Sequence, residues 1–87
     1  RALVEQRLVA CVNVIPGLRS FFWWQGRVDS EQEQLLVAKT HRSRYSEVER
    51  AIRAQHPYEL PEVVYVPIGT GLSDYLTWIA SSVDVTP

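Results

Sequence analysis

The spacing of apolar residues changes repeatedly along this chain, and each change marks the edge of an element. Over residues 1–8, Leu3, Val4 and Leu8 share one side of a helix while Glu5, Gln6 and Arg7 stay polar. This predicts the last two turns of a helix, with no capping residue ahead of Arg1. Residues 9–15 alternate, setting Ala10, Val12 and Val14 against Cys11, Asn13 and Ile15, the period of a strand. Pro16-Gly17 interrupts that strand as a bulge or kink does, and an aromatic strand resumes over 18–24. A polar turn region then runs from Gln25-Gly26 to about Gln32, and residues 33–40 form the returning strand. Leu35, Val37 and Lys39 lie on one of its faces, and Leu36, Ala38 and Thr40 on the other.

Downstream, Ser43 is the predicted N-cap of a helix over roughly 44–56, where Tyr45, Val48, Ala51, Ile52 and Gln55 give an amphipathic stripe. Pro57 stops it. Residues 62–68 read as a strand apolar on both faces, as a covered position requires. Gly69-Thr70-Gly71 is a turn, and Ser73 caps a last helix with Tyr75, Leu76, Ile79 and Val83 inward and Trp78 flanking. The order is α-β-β-α-β-α. With one strand in front it becomes the split βαβ of ferredoxin-like domains, an α+β sandwich with a C-terminal helix. The first strand of that topology is central, and without it strand 62–68 has no neighbour. Unpaired buried backbone is costly, so a strand ahead of Arg1 is expected, and residues 1–87 form a single domain lacking its first strand.

Composition narrows the function classes. An apolar fraction of 46% and a charged fraction of 22% argue against disorder. A net charge of −1 without a Lys/Arg block removes the main driving force for binding nucleic acid or an anionic membrane. There is no signal peptide and no apolar run near about 18 residues, so a soluble, cytoplasmic protein is expected. Cys11 is the single cysteine; it reads as a small buried hydrophobe, with no disulfide partner and no zinc spacing. A chain this short buries a limited core, which favours an oligomer.

Candidate chemistry gathers in residues 56–67, His-Pro-Tyr-Glu-Leu-Pro-Glu-Val-Val-Tyr-Val-Pro. Pro57 and Pro61 leave the backbone few conformations. His56, Glu59 and Glu62 have the chemistry of acid/base groups or of ligands for a divalent ion. Equally, a histidine at a helix C-terminus is favoured by the dipole alone, and the two glutamates suit turn and strand-edge roles. Lys39 either snorkels from the core edge or pairs with an acid. The run Phe21-Phe22-Trp23-Trp24 points to both faces of a strand, so two of these rings face water, a ligand or another subunit; another subunit is the favoured reading. No nucleophile–base set, phosphate loop or dinucleotide fingerprint is present, so no enzymatic activity is expected.

These residues also carry a family resemblance. The Cys11–Gly17 strand with its Pro-Gly, the turn at Trp24-Gln25-Gly26, Lys39-Thr40, the HPYE-x-PE run at 56–62 and the D-Y-L-x-W run at 74–78 together resemble the CutA family of divalent-cation tolerance proteins. The resemblance runs nearly end to end. It implies a ferredoxin-like fold assembled as a homotrimer, similar in architecture to the PII signalling proteins, and a part in tolerance of copper and other divalent ions. It implies Cu2+ or another divalent ion as ligand, with His56 at the position of the family histidine. Gln55 stands where some members have a second histidine, and the first-strand cysteine of some members has no counterpart. Trp24, Lys39, Tyr58, Tyr75 and Trp78, with Phe21, Phe22 and Trp23, are the candidates for an intersubunit cleft or interface. The PII likeness implies an alternative: a sensor or protein-anchoring scaffold whose intersubunit clefts take a small ligand or a partner protein.

Overall fold

A computed structural model describes residues 1–55 and 62–83. Its elements are a short helix α1 (Ala2–Glu5), two long strands β1 (Cys11–Trp24) and β2 (Arg27–Lys39), a 3-10 turn (Arg42–Arg44), and helices α2 (Tyr45–Gln55) and α3 (Ser73–Ser82). The architecture is α+β, built on an antiparallel β1–β2 ribbon.

α1 stops earlier than its sequence predicts, and a residue with positive φ ends it. Arg7 has φ 61, its amide donates to the Val4 carbonyl, and the Leu8 amide donates back to Leu3. That pair of bonds is a Schellman cap. The associated apolar contact is present too, because Leu3 packs against the cluster of Leu8, Val9 and Val48, together with Val12, Ala51 and Ile52. Val9 is fully enclosed there. Thr40 adds a tie across the base of the ribbon, its hydroxyl donating to the Leu8 carbonyl at 2.6 Å.

The bulge at Pro16-Gly17 is present. Ile15 pairs with Leu35 and Leu18 with Glu33, so β1 spends one more residue than β2 over this interval, and Gly17 takes φ 82. Side chains alternate along a strand, so the extra residue exchanges faces. The face holding Cys11, Asn13 and Ile15 continues with Leu18, Ser20, Phe22 and Trp24. The face holding Val12 and Val14 continues with Arg19, Phe21 and Trp23.

The expected long polar turn is not there. Gln25 and Gly26, with φ 50 and 80, make a two-residue connection, and β2 begins at Arg27. Two consecutive positive φ values match the twist of a hairpin. Residues 27–32 are polar because this end of the ribbon is largely solvated, not because they form a loop.

Two capping assignments also change. His41, not Ser43, caps the 3-10 turn that leads into α2, its Nδ1 accepting from the Ser43 amide at 3.2 Å. Ser73 lies inside α3, whose N-cap is Leu72 without a side-chain bond. Residues 62–72 belong to no strand. An extended segment becomes a strand only through a ladder, and no described segment pairs with this one.

The two-residue turn gives a direct test. A Cβ at Gly26 meets nothing within 4 Å, so Gly26→Val adds only the backbone cost of a left-handed L-residue. We expect a loss of about 1–2 kcal/mol in denaturant unfolding; an unchanged midpoint would show that the ribbon tolerates another turn.

Candidate functional site

The residues singled out as metal ligands separate into described and undescribed ones. His56, Tyr58 and Glu59 lie outside the described residues, and Glu62 is exposed. Among the described residues no three His, Cys, Asp or Glu side chains come together in a metal-holding group. Cys11 is half-buried with Sγ 4.0 Å from Asn13 Oδ1, so it is less enclosed than the sequence suggests.

The aromatic run divides as strand alternation requires. Phe21 and Trp23 are 70% and 75% exposed, whereas Phe22 and Trp24 on the opposite face are half-buried. Trp24 pairs with Arg27 beside the turn, while Lys39 pairs with Cys11 at the other end of the ribbon. One chain therefore does not bring these two cleft candidates together.

On α3, Leu76, Ile79 and Val83 turn inward as predicted, but Tyr75 does not. It stacks on Trp78 with ring centroids 5.7 Å apart and planes 27° from parallel, and both rings are exposed. Residues three apart on a helix are neighbours, so Tyr75 joins the outward side of Trp78.

A groove of about 1310 Å³ runs between β2 and residues 62–68, closed below by side chains of α2 and α3. Its far wall is held by Tyr45, whose hydroxyl donates to the Val63 carbonyl at 3.1 Å and whose ring meets Tyr65 at 4.9 Å. The neighbouring Glu49 carboxylate, then desolvation, raise the Tyr45 pKa above its ordinary value of 10.0. Beside it, Arg44 is buried and forks onto Glu47 at 3.0 and 2.8 Å, a bidentate pair in the first turn of α2. Sequence reasoning placed Tyr45 in the helix stripe. It did not foresee the hydroxyl tether, for which the only signal was a tyrosine where an aliphatic residue would have served.

The family model described as "CutA1 divalent ion tolerance protein" matches residues 1–82. The chain belongs to the CutA1 family. It is 47% identical over 79 residues to the divalent-cation tolerance protein CutA of Thermus thermophilus, covering 91% of this chain and 77% of that one. It is 38% identical over 81 residues to Protein CutA 1, chloroplastic, of Oryza sativa subsp. japonica, covering 93% of this chain and only 46% of the relative. Among solved structures, the Thermus thermophilus CutA1 superposes with a TM-score of 0.93 at 44% identity, covering 95% of this chain and 81% of that one. A CutA from Nostoc sp. PCC 7120, described as PII-like and in apo form, superposes at 0.91 with 34% identity, covering 99% and 84%. The CutA1 relatives thus share the ribbon-and-helix framework described above.

The tether yields a pH prediction. A tyrosine whose folded pKa is raised contributes stability that is fully present below the unfolded value near 10 and is lost as pH rises through the folded value. The thermal midpoint should therefore fall as pH rises above about 10, and Tyr45→Phe should show a lower midpoint already at pH 7; equal midpoints for the two proteins at pH 7 would show that the tether adds nothing to stability.

Proposed function

We propose that this chain is one protomer of a homotrimeric divalent-cation tolerance protein that takes part in the response to, and binding of, copper and other divalent ions. Family membership supports the tolerance role. The observation that carries the assembly is the uncovered ribbon: Phe21 and Trp23 stand in solvent in the single chain, with Val14, Val28 and Leu36 also exposed on the same face. Soluble proteins seldom leave so much contiguous apolar surface unpartnered. Burying two such aromatic side chains stabilises an assembly by roughly 3–6 kcal/mol.

The described residues alone do not fit a copper ion, since no three donors meet among them. The metal reading therefore rests on His56, with Glu59 and Glu62, and on further ligands contributed where subunits meet. One imidazole with carboxylates holds Cu(II) or Zn(II) weakly, because closed sites want three or four protein ligands. No catalysed reaction is part of this reading. Cytoplasmic residence is part of it, although relatives carry other addresses in their names: chloroplastic for the rice protein and periplasmic for a solved CutA of Archaeoglobus fulgidus.

The Nostoc structure described as PII-like favours a second reading, a sensor or protein-anchoring scaffold whose intersubunit clefts take a small ligand or partner protein. A ligand-dependent rise in melting temperature without metal supports it. A trimer whose melting responds only to divalent ions opposes it.

Sedimentation at micromolar concentration should give a trimer, and Trp23→Ser should weaken it by about 2 kcal/mol, roughly 30-fold in dissociation constant. A stable wild-type monomer would overturn the assembly. For the metal, calorimetric titration of Cu(II) should show weak binding that falls below about pH 6 as imidazole protonates, and His56→Ala should abolish it. Identical isotherms for the two proteins would leave His56 as a helix-end residue.

A further inference from the structure

One residue holds the entry to α2 by both its backbone and its ring. The His41 carbonyl accepts from the Arg44 amide at 2.9 Å, and its Nδ1 accepts from the Ser43 amide at 3.2 Å. The Ser43 hydroxyl stands 2.9 Å from the same nitrogen. An amide only donates, so Nδ1 carries a lone pair here and the hydrogen of the neutral imidazole sits on Nε2. Serine, threonine, asparagine and aspartate are the usual caps, because their oxygens accept throughout the neutral range. An imidazole in that position accepts only while deprotonated, and imidazoles take up a proton close to neutrality. The His41 ring is exposed, so solvent reaches it freely.

The surrounding charges suit the neutral ring. Lys39 and Arg42 flank His41 in the chain. Arg44 follows, already forked onto Glu47, so that carboxylate is engaged, and Glu49 lies against Tyr45. The charges of α1, joined to this segment by the bond from Thr40 to Leu8, are engaged as well: Arg1 with Glu5 and Arg7 with the Ser82 carbonyl. Two acids line the same groove as His41. Glu33 lies back along β2, about 20 Å from Lys39 at the usual rise, and Glu62 is on the facing wall. A protonated ring would lose its acceptor and add a cation beside Arg42 at the positive end of the α2 dipole.

What the cap steadies is the tether. Tyr45 is the first residue of α2 and follows directly on the turn that His41 closes. Its hydroxyl holds the Val63 carbonyl, and its ring meets Tyr65. We propose that His41 is an acid-sensitive latch: protonation at Nδ1 frees the Ser43 amide, loosens the entry turn of α2 and releases the hold of Tyr45 on residues 63–65. At neutral pH this wall of the groove is fastened; in mild acid it is not.

The test is an NMR titration of the full chain from about pH 7.5 to about pH 5, which spans the protonation of imidazoles. It follows the His41 ring protons, the Ser43 amide and the contact between the Tyr45 and Tyr65 rings. All three should change together with one midpoint. Exchange at the Ser43 amide, corrected for its intrinsic pH dependence, should lose roughly fivefold protection, the loss of one cap. The thermal midpoint should fall by about 4–8 °C over the same interval. His41→Asn keeps an uncharged acceptor at every pH, so the Ser43 amide, the ring contact and the midpoint should hold steady; His56 remains in that variant, and its titration drops out of the difference. His41→Asp should move the transition down to the carboxylate range, about pH 4. A Ser43 amide that stays unchanged while the His41 ring titrates overturns the latch. So does an equal fall of the thermal midpoint in His41→Asn, or a contact between Tyr45 and Tyr65 that persists once the Ser43 amide has opened.

Discussion

A two-stranded ribbon is much longer than the helices that cover it, and the other features of this structure follow from that mismatch. The fourteen residues of β1 extend roughly 46 Å at the usual rise per residue, in keeping with a longest dimension of 45 Å. The eleven residues of α2 span only about 16 Å. Helix-on-sheet burial is thus confined to the base, where Leu8, Val9 and Val48 meet. Beyond it the ribbon is held by its own ladder and by cross-strand pairs, with apolar rings left in water. A core of this size stabilises weakly by itself, and the uncovered surface is what a further subunit would bury.

The bulge decides which surface that is. Without the extra residue at Pro16-Gly17, Phe22 and Trp24 would continue the face of Val12, which packs on the core. With it, that face ends in Phe21 and Trp23, and Phe22 and Trp24 stand opposite Asp29 and Arg27 on the other. The more exposed pair of rings and the helix-covered base therefore share one side of the sheet, so a partner meeting Phe21 and Trp23 approaches from the side on which the helices lie.

The parts of this architecture that were legible in the sequence are those specified by local chemistry. Alternation gave the ribbon, Pro-Gly gave the bulge, and the stripe from Tyr45 to Ile52 gave α2. The errors fell where tertiary contacts or backbone geometry decided instead. Gln25-Gly26 closes the hairpin in two residues, although a polar stretch after a turn reads as a longer loop. His41 caps where Ser43 stands nearby, since both side chains bond within the same turn. Residues 62–68 have the composition of a strand, but composition does not supply a ladder partner. For the site, strand alternation separated the aromatics correctly, whereas the tether from Tyr45 to Val63 joins residues far apart in sequence and left no periodic trace. Lys39 and Trp24 stand in neighbouring motifs of one family pattern yet at opposite ends of the ribbon, because a long hairpin places residues close to each other only across its own register.

The two-residue turn also orders the events of folding. Closing β1 onto β2 through Gln25 and Gly26 restricts very little chain, whereas bringing residues 62–68 beside β2 closes a loop over residues 40–61. The difference in closure entropy is about 2 kcal/mol, and hairpins form within about 1–10 μs. The ribbon is consequently the piece with the lowest entropic barrier to closure. The wall held by Tyr45 carries the larger closure cost, and the tether to Val63 is one of the contacts that offset it.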